Sequence, residues 1–242
     1  PEIADLNNDG VPDLLVADEM GFLHYYESSG RSKDRTPVLR PDKLISAGNR
    51  PIKVSDRASV RAVDWDSDGL PDIIMACSKT YSRDDTEIGS EGMLEGYGLY
   101  TCWFKNVGKP GKPQFATASI LKDEDGKVIG DYRIEVIGVT DWDADGKKDL
   151  LCSINEGQIY LYRNVGTDKA PVLAVGAPLF NSYDQGKCIF GPCLADLDAD
   201  GQPDIVAGSG HFGYQTHLMR RRFFDNLKTP VNIRVLSVEK TD

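Results

Sequence analysis

The sequence predicts an all-β chain built of four repeated, four-stranded antiparallel units. Three observations carry that expectation. An acidic loop motif recurs four times in register, and an aromatic stretch ending in a tight turn recurs downstream of each copy. No stretch shows a convincing 3.6-residue apolar period, so almost no helix is expected.

The loop comes first in each unit. The chain reads DLNNDGVPDLL from Asp5, DWDSDGLPDII from Asp64, DWDADGKKDLL from Asp141 and DLDADGQPDIV from Asp196. All four follow D-x-[DN]-x-D-G-x-x-D and then two apolar residues. Like charges this close repel unless a cation gathers them. Carboxylates at alternate positions of a tight loop can turn their oxygens toward one centre, and an oxygen-only donor set favours a hard divalent ion such as calcium. The glycine after the third acid marks a sharp turn, so Gly69, Gly146 and Gly201 are expected in conformations that other residues tolerate poorly. An EF-hand is excluded. Its loop needs a bidentate Glu at position twelve between helices, and these loops carry Val16, Met75, Cys152 and Ala207 there. The segment after Asp149 instead reads as strand, turn and strand.

The remaining elements come in the same order each time. YYESSG (25–30), WFKNVG (103–108), LYRNVG (161–166) and FFDNLK (223–228) are aromatic strands running into a turn. Pro37, Pro113, Pro171 or Pro230 comes next, then a further apolar segment. Each unit therefore reads as four short strands with the acidic loop between the first two. Motif starts lie 59, 77 and 55 residues apart, a length that fits β-propeller blades at approximately 1–57, 58–131, 132–187 and 188–242.

These loops with their hydrophobic strands resemble the FG-GAP/VCBS repeat, found in integrin α-subunit propellers, some fungal lectins and secreted bacterial proteins, propeller-type polysaccharide lyases among them. The resemblance spans nearly the whole chain. It implies one calcium per loop, four in total, held by positions one, three, five and nine and by the position-seven carbonyl. Carried over, the ligands are Asp5, Asn7, Asp9, Val11 and Asp13; Asp64, Asp66, Asp68, Leu70 and Asp72; Asp141, Asp143, Asp145, Lys147 and Asp149; and Asp196, Asp198, Asp200, Gln202 and Asp204. Neutral Asn7 is expected to make the first site weaker. Propellers of this kind usually carry more than four blades. A part of a seven- or eight-bladed ring is therefore expected rather than a closed four-bladed one, its open face covered by further sequence or another chain. The opening PEIAD, close before the first loop, reads as a start inside a blade.

Composition agrees. The chain has 242 residues and a net charge of −10, and fifteen of its 38 acids sit in the four motifs, so its acidity points to metal. There is no basic stripe for nucleic acid and no apolar run long enough for a transmembrane helix. Of five cysteines, Cys77, Cys102 and Cys152 are expected as small buried hydrophobes, while Cys188 and Cys193 could pair. Calcium loops fit an extracytoplasmic setting: secreted, periplasmic or cell-surface.

Two units break the regular length. From the closing acid to the Asn of the turn, the third unit needs 15 residues, the second 34 and the fourth 22. Long connections on a rigid scaffold are where binding sites are built. The second unit's extra segment contributes Tyr81, Arg83 and Tyr97. The fourth unit's contributes His211, Tyr214, His217, Arg220, Arg221 and Arg222. His and Tyr can exchange protons and Arg can neutralise a carboxylate, which is what β-elimination on a uronate glycan requires. The competing reading is a surface for binding a glycan or an extracellular protein, and it is the primary expectation. His24 in FLHYYE is expected to be structural, and Trp65 and Trp142 at loop position two are expected to pack.

Overall fold

A computed structural model describes residues 1–19, 21–53, 58–77, 100–130, 134–154, 158–181, 188–195, 204–210, 214–220 and 234–237. No helix occurs among them, and no helix long and apolar enough to cross a membrane. The strands form four four-stranded antiparallel sheets, one per repeat. The first sheet is ordered β1 (Glu2–Ala4), β2 (Asp13–Ala17), β3 (Leu23–Tyr26) and β6 (Lys43–Leu44). Between β3 and β6, β4 (Ser28–Arg31) and β5 (Pro37–Leu39) make a small hairpin; after β6, β7 (Ser46–Ala47) pairs with β8 (Arg50–Pro51). The second sheet is β9 (Ser59–Val63), β10 (Asp72–Cys77), β11 (Tyr100–Phe104) and β12 (Ser119–Ile120). The third is β13 (Ile134–Thr140), β14 (Asp149–Ile154), β15 (Gln158–Tyr162) and β16 (Ala177–Asn181). The fourth is β17 (Cys188–Ala195), β18 (Asp204–Gly210), β19 (Tyr214–Arg220) and β20 (Arg234–Ser237).

The sheets stack in sequence order. β1 packs beside β9, β9 beside β13, and β13 beside β17. The two apolar residues after each closing aspartate explain the stacking, because successive strand residues face opposite sides of a sheet. Leu15 packs forward against the second sheet, while Ile73 on β10 packs back against the first. Ile74 and Leu150 meet in the second interface, and Leu151 and Ile205 in the third. Each fully buried aliphatic side chain contributes roughly 1.5–3 kcal/mol. Loop position two closes each interface from the side: Leu6 is in the first cluster, Trp65 in the second and Trp142 in the third. Both tryptophans pack, as expected, with 1% and 7% of their surface exposed.

Two expectations change. The fourth repeat's extra length does not form one long connection. β18 and β19 are seven-residue strands paired from Ile205↔Met219 to Gly210↔Tyr214, so strand extension absorbs much of it. Cys188 and Cys193 fall on one strand, β17. A bulge shortens the span, but they stand opposite Gly210 and Val206, four residues apart on β18, which at about 3.3 Å per residue separates them by roughly 13 Å, beyond disulfide reach, so they do not pair with each other. Cys102 and Cys152 are free and buried, and burial pushes the Cys152 thiol pKa upward. The side chain of Cys77 lies outside the described ones.

His24 on β3 is a structural clamp. Its Nδ1 lies 2.8 Å from Asp42 Oδ2 and its Nε2 3.1 Å from Asp18 Oδ2. The hydrogen bonds to Asp18 and then Asp42 raise its pKa. A histidine whose folded pKa is raised contributes fully below its unfolded value, and the contribution fades as pH rises through the folded one. The melting-temperature advantage of wild type over His24→Gln should therefore be largest below pH 6.5 and shrink as pH is raised. Thermal scans across pH check this, and an advantage that grows with pH contradicts it.

Candidate metal centre

Each described loop joins the first two strands of its sheet and is held by its own carboxylates. The position-one acid caps the turn. Asp64 accepts the N–H groups of Asp68 and Gly69, each at 3.0 Å. Asp141 accepts those of Asp145 and Gly146 at 3.0 and 2.9 Å. Asp5 does the same for Asp9 and Gly10 at 2.9 and 2.8 Å. The position-five acid accepts the N–H of position seven: Asp9 from Val11, Asp68 from Leu70 and Asp145 from Lys147.

The closing acid reaches further. Asp149 Oδ2 accepts the Trp142 N–H at 2.8 Å, and Oδ1 accepts the Asn164 N–H at 2.7 Å. Asp72 holds Trp65 and Asn106 in the same way. Asp13 holds Leu6 and Ser28, and takes a third bond from the Tyr25 hydroxyl at 2.8 Å. These three acids are buried. Burial pushes the Asp72 carboxyl up to about 6 and raises Asp149 as well.

Positions one, three and nine converge. Asp64, Asp66 and Asp72 each offer an oxygen within 4.8 Å of the others, and so do Asp141, Asp143 and Asp149. Within these clusters Asp66 Oδ1 and Asp143 Oδ1 are buried with no hydrogen-bond partner. A partnerless buried carboxylate oxygen is costly, and a hard cation is the partner that a set of oxygens alone can take. The residues thus fit calcium. The position-five acids lie outside these two clusters, and Asp68 and Asp145 instead pair with Lys105 and Lys147 at 3.1 and 2.8 Å. In the first loop Asn7 Nδ2 donates to Asp9 Oδ2 at 3.0 Å.

The loops lie along one edge of the stack. Asn8 Nδ2 donates to the Gly69 carbonyl at 2.9 Å, and Lys148 Nζ donates to Ser67 Oγ at 2.6 Å. In the fourth loop Asp196, Asp198, Asp200 and Gln202 lie outside the described residues. Asp204 is buried and opens β18 opposite Ala195.

Of the residues expected to serve a ligand or a reaction, Tyr81, Arg83, Tyr97, His211, Arg221 and Arg222 lie outside the described residues. Tyr214, His217 and Arg220 are on β19, opposite Gly210, Ala207 and Arg234 respectively. Lys105 and Arg163 were not singled out from the sequence, although each immediately precedes the Asn of its turn in WFKNVG and LYRNVG. Lys105 hydrogen-bonds to Asp66, and Arg163 Nη1 lies 3.4 Å from Asp143 Oδ2.

A family model described as FG-GAP-like repeat matches residues 5–75 and 141–207. Each matched stretch starts at the first aspartate of one motif and ends at position twelve of the next. No curated protein matches the chain.

The loop backbone is left-handed at two places. Gly69 and Gly146 have φ of 90° and 85°, as expected, and Ser67 and Ala144 sit at 53° and 59°; Gly201 lies outside the described residues. A Cβ at position 146 would meet nothing within 4 Å, so strain alone decides the effect there. Gly146→Ala should lose about 1 kcal/mol and Ala144→Gly should gain a comparable amount. Denaturant unfolding of both variants checks the pair, and equal signs would contradict the strain account.

Proposed function

The chain belongs to the FG-GAP-like repeat family, and from that premise we propose that it is an extracytoplasmic, calcium-stabilised β-propeller module that binds a glycan or another protein. The observation that carries the metal reading is the pair of converging aspartate clusters whose buried oxygens Asp66 Oδ1 and Asp143 Oδ1 have no protein partner. One calcium per loop, four in all, is the stoichiometry the repeat supports. Asp64, Asp66 and Asp72 would hold the second ion, and Asp141, Asp143 and Asp149 the third. Calcium, when bound, supplies the divalent charge that these carboxylates lack. The chain's own work is to hold the oxygens in place through the backbone N–H groups that Asp64, Asp72, Asp141 and Asp149 accept.

The propeller reading is supported by four four-stranded sheets stacked through their first strands. The outward side of the first sheet supports a ring with further blades. Leu14 matches Ile73, Leu150 and Ile205 in the repeat, and those three are buried against the preceding sheet. Leu14 is only half-buried, and its paired neighbours on that side include Ile3, 73% exposed. Such a face fits the forward side of another blade, from further sequence or from another chain.

The metal reading is tested by melting the protein in chelator and in excess calcium. At a hundredfold excess over Kd one site adds about 2.7 kcal/mol, which should raise Tm by roughly 5–10 °C for a chain of this size. An unchanged Tm rejects it. The binding role is tested by a glycan array run beside an absorbance assay on uronate-containing glycans. Capture without rising ultraviolet absorbance is expected. Rising absorbance would establish a polysaccharide lyase acting by β-elimination instead.

A further inference from the structure

In each described loop a different protein group pairs with the acid at position five. In loop 1 it is the Asn7 amide, which reaches Asp9. In loop 2 it is the Lys105 ammonium, which hydrogen-bonds to Asp66 and lies 3.1 Å from Asp68 Oδ2. In loop 3 two cations take part. Arg163 faces Asp143, and Lys147 faces Asp145 at 2.8 Å. Lys105 and Arg163 hold the same place in the repeat. The first repeat has Glu27 there, and Glu27 turns to Arg40 and Lys43 at 3.1 and 3.3 Å.

We propose that Lys105 and Arg163 are tethered counter-ions that hold loops 2 and 3 together without metal and compete with calcium for the charge of the same carboxylates. This rests on the calcium reading above. The ammonium satisfies its cluster only in part: Asp66 is 6% exposed, yet its Oδ1 keeps no partner beside Lys105. A second positive charge therefore has something left to gain. Lys105 also has somewhere to go. Its side chain is 37% exposed, and Nζ stands 5.9 Å from the centre of the Trp103 ring. The arrangement grades the sites. Among the described residues, loop 1 has three acids and no cation paired with them, whereas loop 3 has four acids opposed by two cations. Because affinity follows ligand charge, loop 3 is a weaker site than loop 1 despite Asn7, and calcium at loops 2 and 3 competes with side chains of the protein itself.

The test uses terbium as a luminescent stand-in for calcium. With excitation confined to tryptophan, Trp65 and Trp142, at position two of loops 2 and 3, sensitise those loops, whereas loops 1 and 4 carry Leu6 and Leu197 there. Calcium is then titrated against bound terbium in wild type, Lys105→Met, Arg163→Met and the control Lys43→Met. Removing one charge at ~5 Å from a divalent ion, even screened as in bulk water, should tighten calcium binding at least about tenfold. Melting in chelator adds a readout that a purely structural lysine would not reproduce. Lys105→Met should melt below wild type without calcium, yet gain more than wild type when calcium is added. Arg163→Met repeats the comparison independently if the first variant folds poorly. Unchanged affinity in folded variants, or an equal loss of Tm with and without calcium, overturns the proposal. Wild type that takes up neither terbium nor calcium overturns the calcium reading itself and this inference with it.

Discussion

The closing aspartate of each acidic loop is the contact on which the rest depends. Asp13, Asp72 and Asp149 each sit at the start of a second strand and accept two backbone N–H groups from distant places. One belongs to loop position two, whose side chain plugs the interface to the next sheet. The other belongs to Ser28, Asn106 or Asn164, where the third strand ends. A single carboxylate thus fixes the loop, the plug and the third strand relative to one another. The Asn side chains extend the tie: Asn164 Oδ1 accepts the N–H groups of Gly166 and Val172 at 3.0 and 3.1 Å, and Asn106 Oδ1 does the same for Gly108 and Gln114. A buried hydrogen bond to an ionised group contributes about 1.5–3 kcal/mol, so each aspartate is a large part of its repeat's local stability.

That anchor creates the electrostatic problem the loops must solve. Fixing Asp72 and Asp149 inside the protein raises their pKa through burial, and it draws positions one and three to within 4.8 Å of them. The same geometry that makes the sheet rigid therefore concentrates negative charge at one edge of the stack. A divalent ion is the strongest remedy, while Lys105 and Arg163 are partial ones. On the proposed reading, ion binding would be coupled to chain stability, because both draw on the same carboxylates. A ligand-binding role would use this rigidity indirectly, through the segments that the scaffold carries.

Much of this was legible in the sequence because the repeat makes each inference four times over. The strand order, the loop chemistry, the left-handed glycines and the packing role of Trp65 and Trp142 all come from local pattern. Less legible was anything decided by contacts between distant positions. Nothing in DWDADGKKD says that Asp149 also holds the Asn164 N–H fifteen residues on. The basic residues before Asn106 and Asn164 are visible in the sequence, but only the fold brings them to the acids. Counting residues between landmarks suggested a long connection in the fourth repeat, where pairing between β18 and β19 makes strands instead; length alone does not separate a loop from a longer hairpin. The same limit hid the spacing of Cys188 and Cys193, which only strand geometry resolves.

The most direct test of the central claim is diffraction from crystals grown in calcium, with anomalous maps used to locate the ions. The account predicts an ion between Asp64, Asp66 and Asp72 and another between Asp141, Asp143 and Asp149, with Asp72 and Asp149 still holding the Trp65 and Trp142 N–H groups. Lys105 and Arg163 still paired with Asp66 and Asp143 in saturating calcium, with no anomalous density between the acids, would contradict it.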